Sequence, residues 1–282
     1  MATSEALPAG FGELEVLAVG TVLLLEGLCG LSLNGLTVVS FWKSPALRTP
    51  NHLLVLSLAL ADSGLSLNAL VAAGSSLLRH WPGSGHCQAL GFQGFTTALA
   101  SISGTAALSW GRHQQCCTRG RLTWSTAVPL VLFVWLSSAF WAALPLLGWG
   151  RYDYEPLGTC CTLDYSTGDR NFTSFLFTMA FFNFLVPLFI TVTSCQLMER
   201  HLARSSRLQV SVRQPARTLL LCWSPYALLY LYAVLADAHT LSPRLQMVPA
   251  LIAKTVPTIN AINYSLGRGP WQSLEMQRSK QD

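Results

Sequence analysis

Three ionisable residues lie inside long apolar runs: Glu26, Asp62 and Lys254. A charge in such a setting is costly and marks either a functional site or an ion pair. Lys254 is flanked by Leu251, Ile252, Ala253 and Val256, and the positions one turn away, Ala250 and Thr258, carry no acid. Burial without a local partner favours the neutral amine, which is a good nucleophile toward a carbonyl. The alternative, of equal weight on composition, is a lysine paired across elements with Asp62 or Glu26. Asp62, in Leu58-Ala59-Leu60-Ala61-Asp62, reads better as a hydrogen-bonding hub or sodium site than as a catalytic acid. Glu26 has no assigned role.

The runs that hold these residues define the class. About half of the 282 residues are apolar and only 31 are charged, 18 basic and 13 acidic. Soluble domains carry roughly 25% charged residues, so this chain would struggle to cover a soluble surface. The net charge of +5 does not point to nucleic acid, because the cations sit in short gaps between apolar runs rather than on one face. No Gly-rich phosphate loop and no metal-spaced Cys/His set is present, so no metal is expected.

A helix crossing roughly 30 Å of hydrocarbon needs about 20 apolar residues. Seven runs qualify: 16–41, 53–78, 87–110, 126–147, 172–197, 218–235 and 245–266. The expected fold is an all-α membrane protein, a bundle of seven transmembrane helices over 16–267, between an N-terminal segment 1–15 and a tail 268–282. The first 15 residues carry Glu5, Glu13 and Glu15 but no Lys or Arg, so no cleaved secretory signal is expected. Placing the N-terminus outside puts thirteen Lys and Arg in the inner loops and tail and four in the outer loops. That asymmetry favours an N-terminus outside and a cytoplasmic C-terminus. Cys87 and the Cys160-Cys161 pair then lie on the oxidising side, where a disulfide would pin the 150–170 loop. Asn171-Phe172-Thr173 is a glycosylation acceptor on the same side.

Several residues in order resemble the rhodopsin-like receptors: Asn34, the Asp62 segment, Trp135 with Pro145, Pro187, and Cys222-Trp223-Ser224-Pro225. Cys87 with Cys161 matches their disulfide. Within them the chain resembles the opsins. Pro249-Ala-Leu-Ile-Ala-Lys254, followed six residues on by Asn260-Ala-Ile-Asn-Tyr264, is similar to the opsin helix that binds retinal. The resemblance implies a retinal Schiff base at Lys254, all-trans in the dark. It also implies Trp223 and Tyr226 along the polyene, with Gly94, Ala98, Met179, Phe184 and Tyr165 at other pocket positions. A buried protonated imine needs a counterion. Vertebrate visual opsins carry a glutamate where this chain has Leu90; the other acidic opsin position, six residues before the loop cysteine, is Glu155. Glu155 is therefore the expected counterion, and a solvated loop acid is the alternative.

The inner face departs from the receptor pattern. Gly111-Arg112-His113 lacks the acid that would precede the arginine. Ser205 stands where opsins place a second acid for it, and Ala261 replaces a proline. Pro215 is expected to break the inward extension of the sixth helix. A kept pocket with a weakened switch most resembles the photoisomerase opsins of the retinal pigment epithelium and Müller glia. The resemblance implies conversion of all-trans-retinal to 11-cis-retinal in endoplasmic reticulum membranes. It implies retinol dehydrogenase as a partner in retinoid traffic and little role for a G protein. A light-sensing G-protein-coupled receptor and a non-catalytic retinoid store are the alternatives.

Overall fold

The computed structural model describes residues 7–8, 10–79, 84–118, 122–165, 169–201, 206–236 and 240–264, with 84 and 206–211 as backbone. The tail 268–282 and Ser205 lie outside them. Seven helices form an antiparallel-connected bundle: α1 Glu13–Lys43, α2 Pro50–Leu78, α3 Ser84–Cys117, α4 Trp124–Ala143, α5 Arg170–His201, α6 Ser206–Leu235 and α7 Pro243–Lys254, continued by 256–264. Local chemistry sets several starts. Thr49 caps α2 ahead of Pro50, Asp169 caps α5, and Ser242 caps α7 ahead of Pro243. A cap side chain satisfies an orphan N–H, and proline suits the first turn because its missing N–H is not needed there.

Among the described residues, five of these helices are long and apolar enough to cross a membrane: α1, α2, α4, α5 and α6. The other two fall short for a physical reason. Helix α3 lies against α2, α4, α5 and α6 and carries a row of buried polar residues, Thr97, Ser101, Thr105 and Ser109. Helix α7 is interrupted at Thr255, because Pro257 has no N–H to bond the carbonyl of Ala253. That interruption follows directly on Lys254. The lipid-facing surface is rich in exposed Leu, Phe and Val, as an apolar solvent permits.

Inside the bundle Asp62 is fully buried and is a hub, as expected. Ser101 Oγ donates to its carboxylate at 2.6 Å and Asn260 Nδ2 at 3.0 Å. It does not pair with Lys254. Asn34 Nδ2 donates to the Pro257 carbonyl at 3.0 Å and ties α1 to α7. The expected break at Pro215 does not occur: α6 is helical through it. Packing holds the segment, since Cys195, Met198 and Val212 form one cluster, with Cys116, Cys117 and Ala216 against it. A proline that costs a hydrogen bond is tolerated where neighbouring helices fix the axis.

A short antiparallel hairpin lies across one end of the bundle, with β1 Tyr152–Tyr154 and β2 Cys161–Leu163 in the register Tyr152↔Leu163 and Tyr154↔Cys161. The Cys87–Cys161 disulfide joins β2 to α3. Tyr152 Oη donates to the Ala142 carbonyl at 2.8 Å, and Gln88 Nε2 donates to the Tyr152 carbonyl at 3.1 Å. Burial pushes the Tyr152 phenol well above its ordinary value, so it stays a neutral donor. Gly91 lets the hairpin settle this close: a Cβ there would lie 2.7 Å from the Tyr152 ring. Leu157, at the tip, is fully buried with Phe11, Val16 and Met247, which plugs the gap between α1 and α7.

Candidate functional site

Beneath the hairpin is a cavity of about 350 Å³, within the roughly 300–1,000 Å³ of small-molecule sites. Its wall is apolar, built from Leu65, Phe95, Ala98, Ile102, Met179 and Trp223 among others. Helix α5 contributes through a widened turn at Phe181–Leu185. Pro187 lacks the N–H that would bond the Asn183 carbonyl, and such one-turn bulges occur often at functional sites. The turn sets Met179, Asn183 and Phe184 in the cavity wall. Between α5 and α6 the wall includes Phe177, Leu185 and Leu231, which are also exposed on the outer surface of the bundle.

The polar chemistry gathers at one end. Lys254, 7% exposed, enters from α7 and Glu155, 5% exposed, from the hairpin. Lys254 Nζ lies 4.0 Å from Glu155 Oε1. Tyr226 Oη donates to the same carboxylate oxygen at 3.3 Å. The hairpin turn explains the placement: Glu155 N–H donates to the Cys160 carbonyl at 2.9 Å, so residues 155 and 160 face each other across the turn. Lys254 Nζ donates to Cys160 Sγ at 3.6 Å, and the thiol donates to Asn68 Oδ1 at 3.2 Å. Cys160 and Asn68 are site residues that sequence reasoning missed. A doublet of cysteines in one loop was the available signal, because one bridges to α3 and leaves the other free. Glu26 is half-buried on α1 with one carboxylate oxygen unpartnered, and it interacts electrostatically with Lys254.

Of the expected pocket residues, Gly94, Ala98, Met179, Phe184, Trp223, Tyr226, Glu155 and Lys254 all line the cavity. Tyr165 does not. It packs one layer behind, its ring centroid 5.9 Å from that of Tyr230, and its hydroxyl donates to Gln246 Oε1 at 3.1 Å. The chain turns away after β2, so the wall position falls to Tyr230 instead. Asn171, in the first turn of α5, has both ends of its amide engaged: Nδ2 donates to the Gly148 carbonyl at 2.7 Å, and Oδ1 accepts from Gly150 N–H at 2.6 Å. At the opposite end of the bundle, Gly111 stands where receptors carry an acid before Arg112; a Cβ there would lie 2.9 Å from Leu54 Cδ1, so a side chain at this position would require the leucine tip to shift.

The sequence profile described as "7 transmembrane receptor (rhodopsin family)" matches residues 33–264. The chain is 74% identical to the "RPE-retinal G protein-coupled receptor" of Bos taurus, over 99% of this chain and 98% of that one. It is 72% identical to the Homo sapiens protein of the same name, over 100% and 99%. Among solved structures, the crystal structure of squid rhodopsin superposes with a TM-score of 0.82 at 23% identity, covering 95% of this chain and 86% of that one. That likeness establishes the shared fold. With seven helices in the expected order and matches across nearly the whole length, the chain belongs to the rhodopsin family of seven-transmembrane receptors, in the group of the RPE-retinal G protein-coupled receptors.

Proposed function

We propose that the protein is a retinal-binding opsin that takes all-trans-retinal on Lys254 as a Schiff base and returns 11-cis-retinal after illumination. One observation carries this reading: a buried amine stands in the wall of an apolar cavity, with a carboxylate 4.0 Å away. A polyene aldehyde fits that arrangement. The apolar wall suits the polyene, and the amine suits the aldehyde. Retinal supplies light absorption and double-bond rotation when bound; the protein supplies position and charge.

Each residue then has a task. Lys254 is the attachment point, held at the break after α7's first segment. Glu155 balances the buried positive charge, and Tyr226 fixes its carboxylate. The disulfide-tied hairpin keeps water from this end. Phe177, Leu185 and Leu231 offer an apolar retinoid a path from the lipid. We place the N-terminus and hairpin outside or in the lumen, from the basic residues at the opposite end. Endoplasmic reticulum membranes of pigment epithelium or Müller glia, exchange with a retinol dehydrogenase, a dispensable G protein and a used Asn171 sequon belong to the same proposal.

Glycine at position 111, where receptors carry the acid that holds the following arginine at rest, supports an isomerase over a signalling receptor. The test is to load the membrane protein with all-trans-retinal, illuminate it and extract the retinoids. The expected product is 11-cis-retinal. Recovery of all-trans alone would leave only a store, and light-dependent nucleotide exchange on a G protein would restore the receptor.

A further inference from the structure

We infer that Cys160 is a positioning residue for the Lys254 nitrogen, the end of a hydrogen-bonded chain whose direction is imposed from the backbone of α2. The inference rests on Lys254 being the attachment point. Gln93 Nε2 donates to the Gly64 carbonyl at 2.9 Å. A carbonyl only accepts, so the other end of the Gln93 amide is its oxygen. That oxygen accepts from Asn68 Nδ2 at 3.0 Å, and the same nitrogen donates to the Leu90 carbonyl at 3.2 Å. Both partners are acceptors, which leaves Asn68 Oδ1 facing the hairpin. Cys160 S–H donates to it at 3.2 Å. With its only hydrogen committed, the sulfur presents lone pairs to Lys254 Nζ, 3.6 Å away. The assignment of each amide follows from what the backbone carbonyls can do, so the chain cannot run the other way.

The consequence is chemical. Once the lysine nitrogen is bonded to an aldehyde carbon, it keeps one hydrogen in its charged form. Two acceptors are within reach, the Cys160 sulfur at 3.6 Å and the Glu155 oxygen at 4.0 Å. The chain aims that hydrogen at the sulfur, a weak acceptor, and Glu155 then acts through space as a charge. The Leu90 side chain leaves no acid on α3 to compete, and its backbone carbonyl is part of the device.

Two measurements test this on the full chain in membranes. Without retinal, the S–H stretching band that Cys160→Ala removes should move in frequency when Lys254→Met takes away the donor to sulfur. It should also move when Gln93→Met, outside the cavity wall, frees the Asn68 amide to turn. A band unmoved by both would overturn the chain. With retinal bound, Cys160→Ser replaces a weak acceptor by a strong one of nearly the same size. The C=N stretch should then rise, its shift on deuteration should increase, and the visible maximum should move to shorter wavelength. An unchanged C=N band in a covalently loaded Cys160→Ser protein would overturn the positioning role. Covalent loading that survives Lys254→Met would instead sink the attachment reading, which the retinal-free S–H measurement does not depend on.

Discussion

Replacing Glu155 by Gln removes one charge and almost nothing else. The amide oxygen can still accept from Tyr226, and the side chain keeps its size. The geometry sets the effect. The carboxylate oxygen and the lysine nitrogen are 4.0 Å apart, with side chains 4% and 8% exposed. At an effective dielectric constant of about 20, two unit charges at that separation interact by about 4 kcal/mol. At 1.36 kcal/mol per pH unit this corresponds to roughly 3 units. The assay is a pH titration of the visible band of retinal-loaded protein, which reports the charged imine. The expected outcome for Glu155→Gln is a midpoint about 3 units lower than the parent, so that the colour is lost toward neutral pH. Tyr226→Phe keeps the charge and should move the midpoint less, in the same direction. A shift below about half a unit for Glu155→Gln would refute the counterion role, since no screening by solvent is available at this depth.

The hairpin and its surroundings give further tests. Gly91→Ala drives a Cβ to 2.7 Å from a Tyr152 ring that is anchored through its hydroxyl; overpacking of this kind costs about 1–3 kcal/mol, to be seen as a lower thermal midpoint. Cys87→Ser opens a loop spanning 74 residues, a loss of about 2–5 kcal/mol for a native disulfide, and should shorten the half-life of the visible band at fixed temperature. Tyr165→Phe removes the hydrogen bond from its hydroxyl to Gln246 Oε1, at about 1 kcal/mol, and should leave the absorption maximum unchanged; a shifted maximum would return Tyr165 to the cavity wall.

Much of this was legible in the sequence because the bilayer penalises error. Apolar runs of about 20 residues marked the helices, and the cost of a buried charge marked Asp62 and Lys254. Helices α3 and α7 were the less obvious ones, since buried polar residues and a proline break dilute their apolar signal. Glu155 was pointed to by resemblance to the opsins, at the acidic position six residues before Cys161, but the reason it faces Lys254 is the register of a six-residue turn, which no pattern in the loop announces. The same register hid Cys160, whose thiol faces the site only because its neighbour is bridged. Prolines were the weakest guide. Pro215 reads as a breaker and is carried by packing, whereas Pro257 interrupts α7 next to the lysine. Tyr165 was misplaced by one layer because its direction depends on where the chain leaves β2.

The central claim is that Lys254 is the covalent anchor. The chain has three lysines, Lys43, Lys254 and Lys280, and among the described residues Lys254 is the one in the cavity wall. Reduction of the retinal-loaded protein with borohydride fixes the link as a stable amine, and peptide mass spectrometry then locates it. The account predicts a retinyl group on the peptide containing Lys254 and its loss in Lys254→Ala. A retinyl group on Lys43 or Lys280, or none on a protein that still retains its visible band, would contradict it.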